Sequence, residues 1–236
     1  TRCLSDWSSD VCSSDLAQIP YASGSQADPT VVGKWITSIV SSGAQVAVMF
    51  GVSSATAAAL GGAYKAGLAG KVQWILGSVG ADPTTIKTIA PTALPLLGGS
   101  IALSFLPSPS DSADEYVKQF MDINTKYNKG AVFDNNVLVG MNAGMLTVEA
   151  LRAAGKNPTR ASLQAAIAAS GSTWASAGFS ALNYSKSSRV GYNGYWFGKI
   201  GLDGSMTPVD GAGKYTIYTT DSGAGAVVKS ASKRPA

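Results

Sequence analysis

The chain has 236 residues, enough for one large domain or two small ones, and it is hydrophobic enough to fold. Hydrophobic residues make up 45% and charged residues 14%, which excludes an intrinsically disordered chain. The net charge is +4, but lysine and arginine are scattered singly outside the tail, so no nucleic-acid surface is indicated. Histidine is absent, which excludes Ser-His-Asp and Cys-His catalysis.

The first sixteen residues, TRCLSDWSSDVCSSDL, contain both cysteines, Cys3 and Cys12, and show neither helical nor alternating periodicity. They also lack the apolar core and the basic leader of a secretion signal. Residues 5–16 match, at all twelve positions, one reading frame of a widely used sequencing adapter. We therefore interpret residues 1–16 as a non-native, adapter-derived segment and infer neither a disulfide nor a zinc site from the cysteines.

From Ala17 onward, helical periodicity alternates with short apolar runs. Aspartate followed by proline twice marks a helix start. The pattern predicts, in chain order, a helix from Asp28 to Gly43, a strand at 45–50, a helix from Ser53 or Ser54 to Gly67, a strand at 72–76 and a helix from Asp82. The continuous apolar runs predict strands buried on both faces, and the short links predict a parallel sheet with right-handed crossovers.

The uncharged stretch between Lys87 and Asp111 is long enough to suggest a membrane span. Pro91 and Pro95 fall in its middle, where they would break a helix. We therefore predict a loop followed by a buried strand, SIALSFL, at 100–106.

The second half of the chain has a different order of predicted elements. Three helices are predicted in a row, at 111–127, at 134–155 and from Asn157, with no strands between them for them to cover. Strands joined by turns follow from Ser176, and the small, polar and basic tail from Asp221 is predicted to be disordered.

Two segments carry a resemblance to a known family: ILGSVGADPTTIKTI at 75–89, and the run from FLPSPSDSADEY to NPTRASL at 105–163. Both resemble extracytoplasmic solute-binding proteins of ABC importers, of the branched-chain amino acid (Leu/Ile/Val-binding) type, and within it an actinobacterial subgroup. The stretch GYNGYWFGKIGLDGSMTPV at 191–209 is similar to the closing strand pair of that family.

The resemblance implies an α/β, periplasmic-binding-protein type I-like fold, with two lobes built on parallel sheets and the first lobe incomplete because the chain is N-terminally truncated. It implies the following organisation: second-lobe α/β portion at 17–107, helices of the incomplete first lobe at 108–180, closing strands that return to the second lobe at 181–220, and a disordered tail at 221–236. The helices at 108–180 would then expose apolar faces, and the chain alone would be poorly stable.

Ligands of open parallel sheets bind beyond the carboxyl ends of the strands, near helix N-termini. The loops after the first two predicted strands are GVSS and GSVGAD, and the resemblance implies ligand contacts in these loops and at the helix opening FDNNVLV. The opening residues of that helix could instead only cap it, and we leave both readings open. The candidate ligand-binding residues are Val52, Ser53, Ser54, Ser78, Val79, Asp134, Asn135 and Asn136.

One departure from the family concerns the solute. In the amino-acid-binding members a tyrosine follows the first of these strands, and a glutamate that holds the ligand's ammonium follows the second. This chain has Val52 or Ser53 at the first place, Ser78 or Val79 at the second, and no acid at either. A buried ammonium without a carboxylate is costly, so we expect a less cationic solute.

The resemblance therefore implies a solute-binding component that captures a small organic solute, amino-acid-like or other, by hinge closure of two lobes. Its partners would be the ABC permease subunits in the membrane, with no nucleic acid, cofactor, metal or catalytic residue involved. Its location would be extracytoplasmic, periplasmic or at the cell surface, with lipid anchoring left open. The alternatives are a ligand-sensing receptor of the same fold and a fragment of an α/β enzyme.

Overall fold

The computed structural model describes residues 17–129, 131–203, 205–209, 214–220, 227–230 and 234. The predicted adapter-derived segment at 1–16 lies outside the described residues. The described chain divides into two compact units: unit 1 comprises 17–103 and 197–209, and unit 2 comprises the remaining residues, from 104–196 and from 210 onward.

Unit 1 is the α/β portion that the strand–helix alternation predicts. Its elements are α1 (Pro29–Ser42), β1 (Val46–Met49), α2 (Ser53–Lys65), β2 (Gln73–Leu76), α3 (Pro83–Ile89), α4 (Leu94–Leu97), β3 (Ile101–Ser104) and β5 (Met206–Pro208). Strand β4 (Gly194–Ile200) contributes its residues 197–200 to this unit. The segment at 87–111 contains the predicted strand, as β3, and no single helix spans it. The part predicted to be a loop instead includes a short helical stretch, 91–93 and α4.

The sheet of unit 1 runs in the order β1, β2, β3 and the C-terminal part of β4. Strand β1 pairs with β2 in parallel, with Val46 opposite Gln73 and Met49 opposite Leu76, and β2 pairs with β3 in parallel. The antiparallel partner β5 lies on β4. A mixed α/β fold with a parallel sheet is thus confirmed.

One face of this sheet carries the core of unit 1. Trp74, Leu76 and Ala102 lie on that face and pack with the buried side chains of α1 and α2. On β1 the alternate side chains, Val46 and Val48, point to the opposite face and are 50% and 59% exposed. The prediction that strand 45–50 is buried on both faces is therefore wrong: β1 is an edge strand in the described chain, and only one of its faces is covered.

Unit 2 is built mainly of helices: α5 (Glu115–Tyr127), α6 (Asn135–Ala154) and α7 (Arg160–Ser170). The start of β4 pairs antiparallel with β6 (Ile217–Thr220), which pairs antiparallel with β7 (Val227–Ser230). The two core clusters of the unit centre on Leu106, Val117, Phe120, Leu138 and Ala177, and on Ala150, Trp174 and Leu182.

The apolar side chains of α5 are only half covered. Val117 and Phe120 are buried, whereas Ile123 and Tyr127, on the same helix, are exposed. In the described chain, α6 is the one helix long and apolar enough to span a membrane by length and composition, with 17% of that window buried. One such helix is weak evidence of a membrane span. In addition, α6 carries a buried asparagine, Asn142, near its centre.

The tail departs from the expectation of disorder. Residues 227–230 form β7, which pairs with β6 from Ile217 opposite Ser230 to Thr220 opposite Val227. Its sequence, VVKS, contains two valines that favour a strand, and pairing with β6 satisfies backbone groups of the segment. The expectation for 221–226, 231–233 and 235–236 lies outside the described residues.

We predict opposite effects for lysine on the two faces of β1. Val48→Lys should change the free energy of unfolding by less than about 0.5 kcal/mol, because Val48 is exposed, and should reduce self-association through the edge. The matched control Ala47→Lys should lower it by about 2 kcal/mol or more, because Ala47 packs on the core. Urea unfolding and light scattering measure both, and equal destabilisation by the two variants would contradict the uncovered face.

Candidate functional site

The candidate residues of unit 1 lie on two neighbouring loops, because β1 and β2 are parallel and end at the same edge of the sheet. The backbone N–H of Gly77 donates to the carbonyl oxygen of Met49 at 2.9 Å, which extends the pairing to the strand ends. The Ser53 hydroxyl then donates to the Val79 carbonyl oxygen at 3.1 Å. The structure thereby brings together Val52, Ser53, Ser54, Ser78 and Val79, and their role in binding stays a prediction.

Glycine allows the two loops to touch through their backbones. A Cβ on Gly80 would lie 2.5 Å from the Gly51 carbonyl oxygen and 2.5 Å from Thr56 Oγ1. Both atoms belong to rigid surroundings, since Thr56 is buried in α2. Any larger residue at position 80 would push the second loop away from the first.

Helix α2 begins at Ser53, which confirms the predicted start, and it has no side-chain cap. The N-cap residue is Val52, and no side-chain capping hydrogen bond is present among the described residues. Ser53 instead uses its hydroxyl on the neighbouring loop, and the Ser54 hydroxyl accepts from Gln26 Nε2 at 3.1 Å. The other helices of seven or more residues in the described chain, α1, α3, α5, α6 and α7, each have a capping side chain.

An uncapped N-terminus leaves backbone N–H donors and the positive end of the helix dipole available at the strand-end edge. Around it the side chains are apolar or hydroxylated: Val52 and Val79 are exposed, and Ser78 is half-buried. The nearest acid in these loops, Asp82, is buried and caps α3 by accepting from Thr84 N at 3.1 Å. Among the described residues of these two loops, the surface therefore offers donors and apolar contacts and no free carboxylate.

The candidate residues of unit 2 lie at the start of α6. Asp134 is the N-cap, and its Oδ1 accepts from the backbone N–H of Val137 at 2.8 Å. Of the two readings left open by the sequence, capping is thus observed for Asp134. Asn135 is half-buried and Asn136 is exposed, and a ligand contact by any of the three stays a prediction.

A buried polar network in unit 2 was not predicted. Asn142 is 1% exposed; its Oδ1 accepts from Ala177 N at 2.8 Å, and its Nδ2 donates to the Tyr192 hydroxyl. The Tyr192 ring stacks on Phe105 with centroids 4.5 Å apart. Burial raises the pKa of Tyr192, so its hydroxyl stays protonated at neutral pH. An asparagine at mid-helix among small and apolar residues is the sequence signal that could have indicated this network.

A groove of 630 Å³ lies elsewhere in unit 1, between α1 and α2. Its lining is mostly small and apolar, with Lys65 and Gln26 as its longer polar side chains. It lacks the convergent polar groups of a small-molecule site. We therefore place the candidate site at the strand-end loops and not in this groove. Among the described residues, no cluster of three or more acidic, histidine or cysteine side chains could hold a metal ion.

Comparison with known proteins agrees with the fold. Residues 14–205 match the family described as periplasmic binding protein, so the chain belongs to the periplasmic binding protein family. No curated protein matches the chain.

Three solved structures illustrate the likeness. A substrate-binding periplasmic protein from Ralstonia solanacearum superposes with a TM-score of 0.65 at 20% identity, over 74% of this chain and 48% of that one. A solute-binding protein of an ABC transporter from R. palustris, in complex with 4-hydroxybenzoate, gives 0.58 at 16%, over 81% and 48%. The leucine-binding protein LivK from Thermotoga maritima gives 0.52 at 18%, over 91% and 51%. The chain thus spans about half the length of these structures, which are binding proteins and not enzymes.

We predict that Asn142→Ala lowers the free energy of unfolding by about 2–4 kcal/mol, because it leaves the Ala177 N–H without its acceptor and opens a small cavity. Thr147→Ala, on an exposed position of the same helix, is the matched control and should change it by less than about 0.5 kcal/mol. Urea unfolding followed by tryptophan fluorescence measures both, and similar small effects would contradict the network.

We also predict a difference in alkaline stability between the wild type and Tyr192→Phe. The pKa of Tyr192 is raised in the folded state, so its contribution to stability is complete below the ordinary tyrosine value of 10.0 and is lost as pH rises above it. Between pH 9 and pH 11 the wild type should therefore lose more stability than Tyr192→Phe. Urea midpoints at several pH values measure this, and parallel curves would contradict the raised pKa.

Proposed function

We propose that the chain is the solute-binding component of an ABC importer, located outside the cytoplasm, and that its solute is a small organic molecule without an ammonium group. The observation that carries this proposal is the uncapped N-terminus of α2, set beside the loop at 77–82, with hydroxyls and valines around it and no free acid. A ligand carboxylate or hydroxyl would take the hydrogen-bond donors that no side chain occupies.

The chemistry of the loops favours a carboxylic acid or a neutral polar solute over an amino acid. An α-amino acid brings an ammonium, and burying it requires an acceptor charge that these loops do not offer. The exposed side chains of Val52 and Val79 would pack on an aromatic ring or an alkyl chain. The hydroxybenzoate bound by the R. palustris structure has this combination of groups, which makes hydroxybenzoates the first probes.

The proposed mechanism is closure of two lobes over the solute, followed by transfer to permease subunits in the membrane. We propose that the loops of unit 1 supply the contacts of the second lobe, and that Asp134, Asn135 and Asn136 supply contacts of the first. A ligand-sensing receptor would use the same loops in the same way. Adjacent permease genes would favour the importer, and an attached signalling domain would favour the receptor.

We further propose that residues 1–16 are not native and that the natural protein, of the actinobacterial subgroup, is longer at its N-terminus. The chain spans about half of its structural neighbours, which supports a longer natural protein. The family match leaves out residues 1–13 and includes residues 14–16. Sequencing the source DNA across the codon for Ala17 tests it. Loss of the first sixteen codons in favour of a longer reading frame would support the proposal, and their persistence in genomic DNA would contradict it.

We predict that the natural protein carrying these loops is stabilised against heat by hydroxybenzoates or simple aliphatic carboxylates, and not by L-leucine. Val79→Glu should weaken carboxylate binding at least about tenfold, because it places a negative charge beside the α2 N-terminus where the ligand's own charge would lie. Thermal shift followed by calorimetric titration measures the affinities.

Val40→Glu is the matched control, since Val40 is 55% exposed against 62% for Val79 and lies in the same unit, at the far end of α1. It should leave binding unchanged. Tighter binding of L-leucine than of the carboxylates to the wild type would contradict the proposed site. Equal affinities of the two glutamate variants for the carboxylate would contradict it as well.

A further inference from the structure

The described part of the tail ends in an enclosed arginine. The Arg234 side chain is 17% exposed, and its Nη2 lies 2.6 Å from Oδ2 of Asp114, whose side chain is 6% exposed. The same nitrogen donates to the Ala177 carbonyl oxygen at 3.2 Å. The guanidinium carbon lies 4.8 Å from the ring centroid of Phe179 and 5.1 Å from that of Tyr116. All of these residues belong to unit 2.

The carboxylate of this site is held in place without the arginine. Asp114 is the N-cap of α5, and its Oδ1 accepts from the backbone N–H groups of Tyr116 at 3.0 Å and Val117 at 3.1 Å. Its other oxygen, Oδ2, faces the guanidinium. Because one oxygen serves the helix and the other the cation, the acceptor stays oriented when the cation leaves.

The aromatic walls are also fixed by their own packing. Phe179 is buried, and its ring lies 4.3 Å, centroid to centroid, from that of Tyr215. The Tyr215 ring meets Trp196 at 4.7 Å, and its hydroxyl donates to Asp111 Oδ2 at 2.6 Å. A ring held in this way presents its face to a cation with little loss of entropy on binding.

We propose that Asp114, Tyr116, Phe179 and the Ala177 carbonyl form a guanidinium-binding site that the chain fills with its own Arg234. By filling it, Arg234 acts as a latch that holds β7 against β6. The latch adds to the β6–β7 pairing in ordering 227–230. When the latch is released, the site takes another guanidinium group.

The geometry distinguishes a guanidinium from an ammonium. The Arg234 guanidinium lies 4.8 Å and 5.1 Å from the ring centroids of Phe179 and Tyr116, and its Nη2 serves both Asp114 and the Ala177 carbonyl. A planar, weakly hydrated guanidinium stacks on aromatic faces. A compact ammonium is more strongly hydrated and lacks the planar fork. Lys229, in the same tail, is exposed, so positive charge alone does not place a side chain in this site.

Hydrogen exchange of the full chain tests the latch. Arg234→Ala should raise the exchange rates of the amides at 227–230 at least about tenfold while leaving those of α5 and α6 unchanged. Arg234→Lys should give an intermediate rate, and Lys229→Ala, the matched control, should stay close to the wild type. Unchanged exchange in Arg234→Ala, or faster exchange throughout unit 2, would overturn the latch.

Chemical rescue tests the chemistry of the site. At millimolar concentration, ethylguanidinium should bind Arg234→Ala, seen as a thermal shift and as a change in tryptophan fluorescence near Trp196, and should not bind the wild type, whose site is filled. Ethylammonium should bind at least about tenfold more weakly. Equal binding of the two cations, equal effects on variant and wild type, or no effect on the variant would overturn a guanidinium site.

Discussion

The parallel pairing of β1 with β2 is the constraint on which the candidate site of unit 1 depends. It fixes the two strand ends at one edge, and the Gly77–Met49 hydrogen bond carries that register to the last residues of the strands. Beyond the strands, Gly80 approaches the Gly51 carbonyl oxygen so closely that only a glycine fits. A one-residue slip in the pairing of β1 with β2 would exchange the faces of β1 and separate the loops. The candidate site therefore depends on this register.

The charged side chains around the proposed site of unit 1 determine which solutes it could bind. In the described loops at 50–54 and 77–82, the acid is Asp82, which is buried and caps α3. Desolvating a cation against hydroxyls and valines would cost several kcal/mol, whereas an anion meets N–H donors that are already oriented. At the start of α5, in unit 2, a carboxylate and two aromatic rings instead contact a cation, the Arg234 guanidinium.

Local signals in the sequence predicted the elements well where one residue decides the structure. Asp28 and Asp82, each followed by proline, begin α1 and α3 and accept from the backbone two residues on. Where burial depends on what lies beside an element, the same reasoning failed. The apolar run at 45–50 does not tell whether a second layer covers it, and the run is exposed on one face because β1 is an edge.

Long-range contacts were beyond prediction for the same reason. Asn142 bonds to Ala177 and Tyr192, 35 and 50 residues away, and nothing in its local pattern names those partners. For the candidate site, the loops followed from the strand positions, but the capping of α2 did not. Two serines in series suggest a cap, and the structure instead uses Ser53 to join the loops.

The missing side-chain cap of α2 affects the free energy of ligand binding. Losing an N-cap side chain costs a helix about 1 kcal/mol, and the other helices of seven or more residues in the described chain keep theirs. Helix α2 lacks a capping side chain beside the loops where we propose a ligand, and the Ser53 hydroxyl donates to the neighbouring loop instead. A ligand oxygen that completes the first turn would recover this free energy on binding, so the missing cap would add to affinity for an anion or a hydroxyl and not for a cation.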